Sequence, residues 1–105
     1  MEFIETATFT RLVLALMDDD DYAKLHGTLG QRPDMGKIIS GGGGIRKMRW
    51  SGSGRGKRGG LRVIYFWDVA NDQIWMLLAY PKNQRDDLPH DEIKQLKQLV
   101  KQLKI

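Results

Sequence analysis

Leu61 to Tyr80 reads LRVIYFWDVANDQIWMLLAY. Two apolar runs, Leu61–Trp67 and Gln73–Tyr80, flank the turn-forming Val69–Asp72. Both runs are apolar on both faces, which predicts central strands rather than a half-solvated pair. The short polar connection predicts an antiparallel hairpin. Upstream, Ile45–Ser51 (IRKMRWS) reads as a third strand. Its alternation puts Ile45, Lys47 and Arg49 on one face and Arg46, Met48 and Trp50 on the other. Ile38, Ile39 and the four glycines Gly41–Gly44 predict a loop or bulged edge.

Helices flank this sheet. Phe9, Leu12, Val13 and Leu16 recur at helical spacing within Thr8–Met17, and Glu2–Thr6 before them reads as a short strand. Asp18–Asp21 closes that helix and opens the next, with Asp19 or Asp20 as the expected cap. The second helix places Tyr22, Leu25 and Leu29 on one face and ends at Gly30–Pro33. After the polar stretch Pro81–Pro89, a third helix starts near His90, with Ile93, Leu96, Val100 and Leu103 as its apolar stripe. Asp91 and Glu92 in its first turn and Lys101 and Lys104 in its last complement the dipole. The expected class is α+β: a small twisted antiparallel sheet with two N-terminal helices and one C-terminal helix, one domain over residues 1–105.

Charge singles out one segment. Lys37 to Arg62 holds eight basic residues and no acidic one: Lys37, Arg46, Lys47, Arg49, Arg55, Lys57, Arg58 and Arg62. Residues 1–36 carry a net of −4 and residues 63–105 a net of zero, so this segment alone sets the net +4 of the chain. The same segment is rich in glycine, which lets backbone approach a phosphate closely. A cationic patch of this kind points to a polyanion, above all nucleic acid. Trp50, Tyr65 and Tyr80 are candidate stacking faces, although Trp50 and Tyr65 also suit a core.

Several chemistries are set aside. The chain has no cysteine, so disulfides and thiolate metal sites are excluded, in keeping with a reducing cytosol. No apolar run is long enough to span a membrane, and MEFIETATF lacks the pattern of a secretory signal. Gly54, Gly56 and Gly59 match G-x-G-x-x-G, but a strand rather than a helix follows. Gly56–Lys57 fails as a triphosphate loop because Ser51 and Arg58 stand where Gly and Ser/Thr belong. His26 reads as a surface or boundary residue. His90 reads as a helix-start residue, able to act as a weak acid or base if the preceding loop folds over the patch. No histidine or carboxylate spacing marks a metal, and no cofactor is expected.

Three runs of residues carry a resemblance. Gly43–Arg49 (GGIRKMR) and Gly56–Tyr65 (GKRGGLRVIY) are followed by Tyr80–Gln84 (YPKNQ) and Asp87–Leu88. Together they resemble the RelE-type toxins of bacterial toxin–antitoxin pairs, most nearly the HigB branch. The likeness covers about residues 36–90, and the N-terminal helices match by order only. It implies an endoribonuclease that works in the ribosomal A site, cuts messenger RNA without a metal and makes a cyclic phosphate by 2′-hydroxyl attack. It implies a cytoplasmic protein with ribosome and message as targets. Its partner would be a cognate antitoxin, a helix-turn-helix protein from a neighbouring gene. Position by position, it implies strand cations at Lys47 and Arg49, loop cations at Lys57 and Arg58, and the hairpin arginine at Arg62. The late basic motif falls on Lys82 and Asn83. Pro81 and Gln84 depart from the common glycine and acid around the Lys-Asn pair. Asn83 and Pro89 stand about where the archetype has an arginine and a tyrosine, which leaves base and acid open.

The chemistry agrees with these residues. Cutting RNA by internal attack needs one group to take a proton, one to give it, and cations for the pentavalent phosphate. Arginine forks fit phosphate oxygens. A lysine crowded by cations, Lys47 or Lys57, can serve as base. Tyr80 can relay a proton if exposed. The expected catalytic set is therefore Lys47, Arg49, Lys57, Arg62, Tyr80 and Lys82. Arg46, Arg55, Arg58 and Asn83 are expected to hold RNA or ribosome. The alternatives are a fold relative that poisons DNA gyrase, as ParE proteins do, and a plain RNA-binding module. The cations at 47, 49 and 62 favour the nuclease over the first.

Overall fold

The computed structural model describes residues 1–51, 60–85 and 87–103. Five strands and three helices follow in the order β1 (Glu2–Glu5), α1 (Ala7–Leu16), α2 (Asp19–Gln31), β2 (Lys37–Ile38), β3 (Ile45–Trp50), β4 (Leu61–Asp68), β5 (Gln73–Pro81) and α3 (His90–Leu103). The architecture is α+β, as the sequence predicts. The β4–β5 hairpin is antiparallel and central in the sheet order β1-β5-β4-β3-β2.

The sheet is mixed rather than wholly antiparallel, because β1 pairs parallel with β5. Periodicity cannot report which strand a four-residue segment joins. Here α1 and α2 carry the chain across the sheet to the β2 edge, and the later strands return to β1. The α2 cap also differs from expectation. Asp18 is the N-cap, its Oδ1 accepting from Asp21 N at 2.8 Å, so Asp19 and Asp20 are already helical. Thr6 caps α1 by accepting from Phe9 N at 3.1 Å.

Helices cover both faces of the sheet. On one face, Phe9, Val13, Leu25 and Leu29 of α1 and α2 pack on Met48, Leu61, Val63, Tyr65, Ile74, Met76 and Ala79. On the other, Val100 of α3 and Leu88 before it pack on Ile45, Ile64, Phe66, Leu77, Leu78 and Tyr80.

A bulge in β5 decides which residues share a face. Ile64 pairs with Leu78 but Tyr65 pairs with Met76, so Leu77 is the extra residue. The Thr6 hydroxyl donates to its carbonyl at 3.1 Å. Before the bulge, Ile74 and Met76 face α1 and α2; after it, Leu78 and Tyr80 face the α3 side. The bulge therefore sets Tyr80 beside Arg62, its partner in register.

Candidate active site

Cross-strand pairing gathers the cations that the sequence spaces two apart. Lys47 lies opposite Ile64, and Arg49 lies opposite Arg62, which lies opposite Tyr80. All share the face that α3 covers, but Lys47, Arg49 and Arg62 lie outside the α3 core. A cleft of about 600 Å³ opens there, lined by Met35, Lys37, Lys47, Met48, Arg49, Arg62 and Asp87. Among the described residues of the lining, Asp87 is the one acid beside four cations.

Burial divides the roles of these cations. Arg49 is exposed, Lys47 half-buried, and Arg62 only 4% exposed on the cleft floor. Arg62 is thus more enclosed than its place near a strand end implies. Lys47 Nζ donates to Asp87 Oδ1 at 2.8 Å. This bond, together with the charge of Lys47, holds the Asp87 carboxyl below its ordinary range. Lys47 is therefore not a lysine left among cations alone, which was the setting expected of a base.

Tyr80 is 4% exposed, so the exposure that a relay requires is absent here. Burial pushes its phenol up, while Lys47, Arg85 and Arg62 pull the other way. The ring lies under the Arg85 guanidinium, 4.6 Å from its centroid. Arg85 in turn makes a two-pronged contact with Glu92 in the first turn of α3, at 2.6 and 3.2 Å. Neither Arg85 nor Asp87 was singled out for a site role from the sequence. A cation and an acid in the polar loop before a helix were the available signal, but charged loops are common.

The other expected residues are not gathered in the cleft. Arg46 points to the opposite side of β3, where its NH1 donates to Asp34 O at 3.1 Å and Gly36 O at 2.8 Å. Lys82 and Asn83 are exposed on the turn after β5, where Lys82 N donates to Gly60 O at 3.1 Å. Gly60 has φ +62, and a Cβ there would lie 2.6 Å from Trp50 O, so only glycine lets β4 start this close to β3. Arg55, Lys57 and Arg58 lie outside the described residues. Trp50 and Tyr65 are not stacking faces: Trp50 packs on the α1/α2 core and donates to Asp21 at 3.3 Å, and Tyr65 is fully buried. His90 is exposed and does not line the cleft. Among the described residues no three His, Cys, Asp or Glu side chains converge as a metal site, and no helix is long and apolar enough to cross a membrane.

Among the described residues, four cations and one acid line one cleft of this α+β fold, a charge balance that suits a polyanion. Residues 31–105 match the family of the RelE toxin of the RelE/RelB toxin–antitoxin system, and the chain belongs to that family. The match runs from the end of α2 through α3 and includes every residue of the cleft. The chain is accordingly the toxin of a toxin–antitoxin pair, and membership implies a cognate antitoxin.

Proposed function

We propose that this toxin is a ribosome-dependent endoribonuclease of the HigB-type branch, cutting messenger RNA in the cytoplasm and stopping translation. The observation that carries the reading is the convergence of Lys47, Arg49 and Arg62 on one cleft. In the proposed reaction the ribose 2′-oxygen bonds to the adjacent phosphorus as the bond to the 5′-oxygen breaks. A cyclic phosphate remains on one fragment. The 2′-hydroxyl gives its proton to water, and the departing 5′-oxygen takes one from water, so the step balances with no side chain named as base or acid. Arg49 and Arg62 place donors on the phosphate oxygens, where charge builds in the transition state. Lys47 adds a third cation once Asp87 yields it. Lys57 and Lys82 are proposed as further cations of the site, with Arg55, Arg58 and Asn83 as contacts to RNA or ribosome; Arg46, held by backbone carbonyls on the other side of β3, is not proposed as such a contact. The reading requires no metal, because these cations can take the phosphate charge.

Tyr80 is not the base in this reading: burial pushes its phenol up, and it supports Arg62, its neighbour in register. A site without a strong base depends on alignment, which can supply ~7–11 kcal/mol of the barrier. The ribosome is the proposed source of that alignment. The antitoxin is proposed to be a helix-turn-helix protein encoded beside this gene.

The test compares naked RNA with programmed ribosomes. Cleavage confined to programmed ribosomes, with cyclic-phosphate ends, is the expected result. Equal cleavage of both substrates would remove the ribosome requirement, and no cleavage of either would remove the nuclease reading.

A further inference from the structure

The cleft has a rim that the proposed chemistry does not use. It is the turn from Pro33 to Lys37, which brings Met35 and Lys37 to the cleft. Exposed turns of this length are ordinarily loosely held. This one is fixed by side chains from the opposite face of the sheet. The Tyr65 hydroxyl accepts from Gly36 N at 2.9 Å and donates to Pro33 O at 2.7 Å. Arg46 NH1 donates to Asp34 O and Gly36 O. Gly36 is buried, and a Cβ there would lie 2.8 Å from the Tyr65 ring and hydroxyl. Tyr65 and Arg46 are neighbours in register, so one cross-strand pair makes four hydrogen bonds to the turn, beside the turn's own Met35 N to Arg32 O bond. Four hydrogen bonds and a position that only glycine fits make the rim preorganised.

What the rim presents is a pair of unlike groups. Met35 is 36% exposed, a large apolar side chain beside cations. Its thioether is soft and polarizable and suits the face of an aromatic ring. Lys37, two residues on, is exposed and makes no ion pair among the described residues. An apolar surface next to a cation is what one nucleotide asks for: a face for its base and a charge for its phosphate.

We propose that Met35 and Lys37 form a nucleotide subsite on the cleft rim. Met35 packs against the base of a nucleotide flanking the scissile phosphate, and Lys37 contacts its phosphate. The proposal rests on the RNA reading of the cleft. Arg46 and Tyr65 are positioning residues for the subsite, which gives Arg46 a role through the turn rather than through direct RNA contact.

The two contacts have different signatures in the salt dependence of binding to a single-stranded ribo-oligonucleotide, read by fluorescence anisotropy. Lys37→Ala should lower the salt slope by about 0.7, the share of one phosphate on a single strand. Met35→Ala should weaken binding about fivefold, within the range of a thioether–ring contact, with the slope unchanged. Tyr65→Phe keeps the ring in the core but removes both hydroxyl bonds. It should raise KM on programmed ribosomes about fivefold with kcat within twofold, a split that a general loss of structure would not give. Should Tyr65→Phe fail to fold, the two exposed rim variants still decide the matter. Where free RNA binds too weakly to titrate, KM on programmed ribosomes decides for them too. If the wild-type protein binds or cleaves while Met35→Ala and Lys37→Ala match it, the subsite is overturned and the RNA cleft stands. If the wild-type protein neither binds RNA nor cleaves message on ribosomes, both readings fall together.

Discussion

The two faces of the sheet are written in the same strands, in alternating residues, yet they end as different surfaces. Under α1 and α2, Met48, Val63 and Ala79 lie in one cross-strand row and are all buried apolar side chains. One residue further along each strand, on the other face, the row is Arg49, Arg62 and Tyr80. The first face is closed by two helices. The second receives one, and α3 covers Ile45, Phe66 and Leu78 but leaves the row of arginines outside its core. What separates a core from a site here is how far a helix extends along the sheet, together with which alternate residues lie beyond it.

The largest effect should come from the closed face. Phe9 is fully buried where α1 meets the sheet. Phe9→Ala leaves a cavity there, and such truncations cost about 3–5 kcal/mol. Against a total of roughly 5–15 kcal/mol, that is a substantial share of the stability. Chemical denaturation should show the midpoint falling with the slope preserved. A loss below ~1 kcal/mol would mean that α1 is not part of the cooperative core.

The open face should show the reverse. Arg49 is exposed, so Arg49→Ala should change stability by less than ~0.5 kcal/mol. Losing one preorganised donor to the phosphate should lower cleavage on programmed ribosomes about 100- to 1,000-fold. Arg62 makes a less clean comparison, because a 4% exposed guanidinium is also part of the packing. A folded Arg49→Ala protein that cleaves within a few-fold of wild type would show that Arg49 does not act on the phosphate.

A third variant acts at Asp87, the acid beside Lys47 in the cleft. Asp87→Asn removes the carboxylate that holds Lys47 at 2.8 Å. Lys47 then meets RNA without a competitor, and affinity should rise a few-fold, since exposed ion pairs are weak. The depressed Asp87 carboxyl gives this contact a direction in pH. Protonation on the acid side of the ordinary carboxylate range releases Lys47, so the gain from Asp87→Asn should vanish there. Weaker binding by the variant at neutral pH would mean that Asp87 positions Lys47 for RNA instead of competing with it.

How far the sequence reveals these faces depends on the kind of signal. The β4–β5 hairpin was legible because two apolar runs about a short turn have few other solutions. The Lys47–Arg49 alternation was legible because strand geometry has a period of two. The parallel β1–β5 pairing was not, since four residues carry no mark of their neighbour. Tyr80 was placed beside Arg62 by a bulge at Leu77 that no residue type announces. Arg46 looked like one more cation of the basic segment. A count of charge does not say which face a side chain takes or whether backbone carbonyls occupy it. Asp87 and Arg85 act through partners 40 and 7 residues away, Lys47 and Glu92, which become neighbours only in the fold.

The smallest expected effect lies on the closed side, at its one histidine. His26 stacks on Phe3 at 4.2 Å between ring centroids and lies 4.2 Å from Tyr22, and its buried Nε2 has no hydrogen-bond partner among the described residues. Burial pulls the imidazole below its ordinary value, and Glu5 offsets this in part. The sign follows from linkage: the unfolded chain takes up its proton near pH 6.5, while the folded chain waits until a lower pH. Stability is therefore full above about pH 6.5 and falls as pH drops toward the folded value. One proton sets a ceiling of ~1.4 kcal/mol per pH unit. The half-exposed ring should give a fraction of that, because solvent screens it. His26→Phe keeps an aromatic ring between Phe3 and Tyr22 and removes the titration. Its unfolding free energy should lose part of the acid-side slope between about pH 5 and 7, while cleavage at neutral pH stays as in wild type. If both proteins show the same slope, the histidine is hydrated in solution and the closed face is less dry at its edge than its packing indicates.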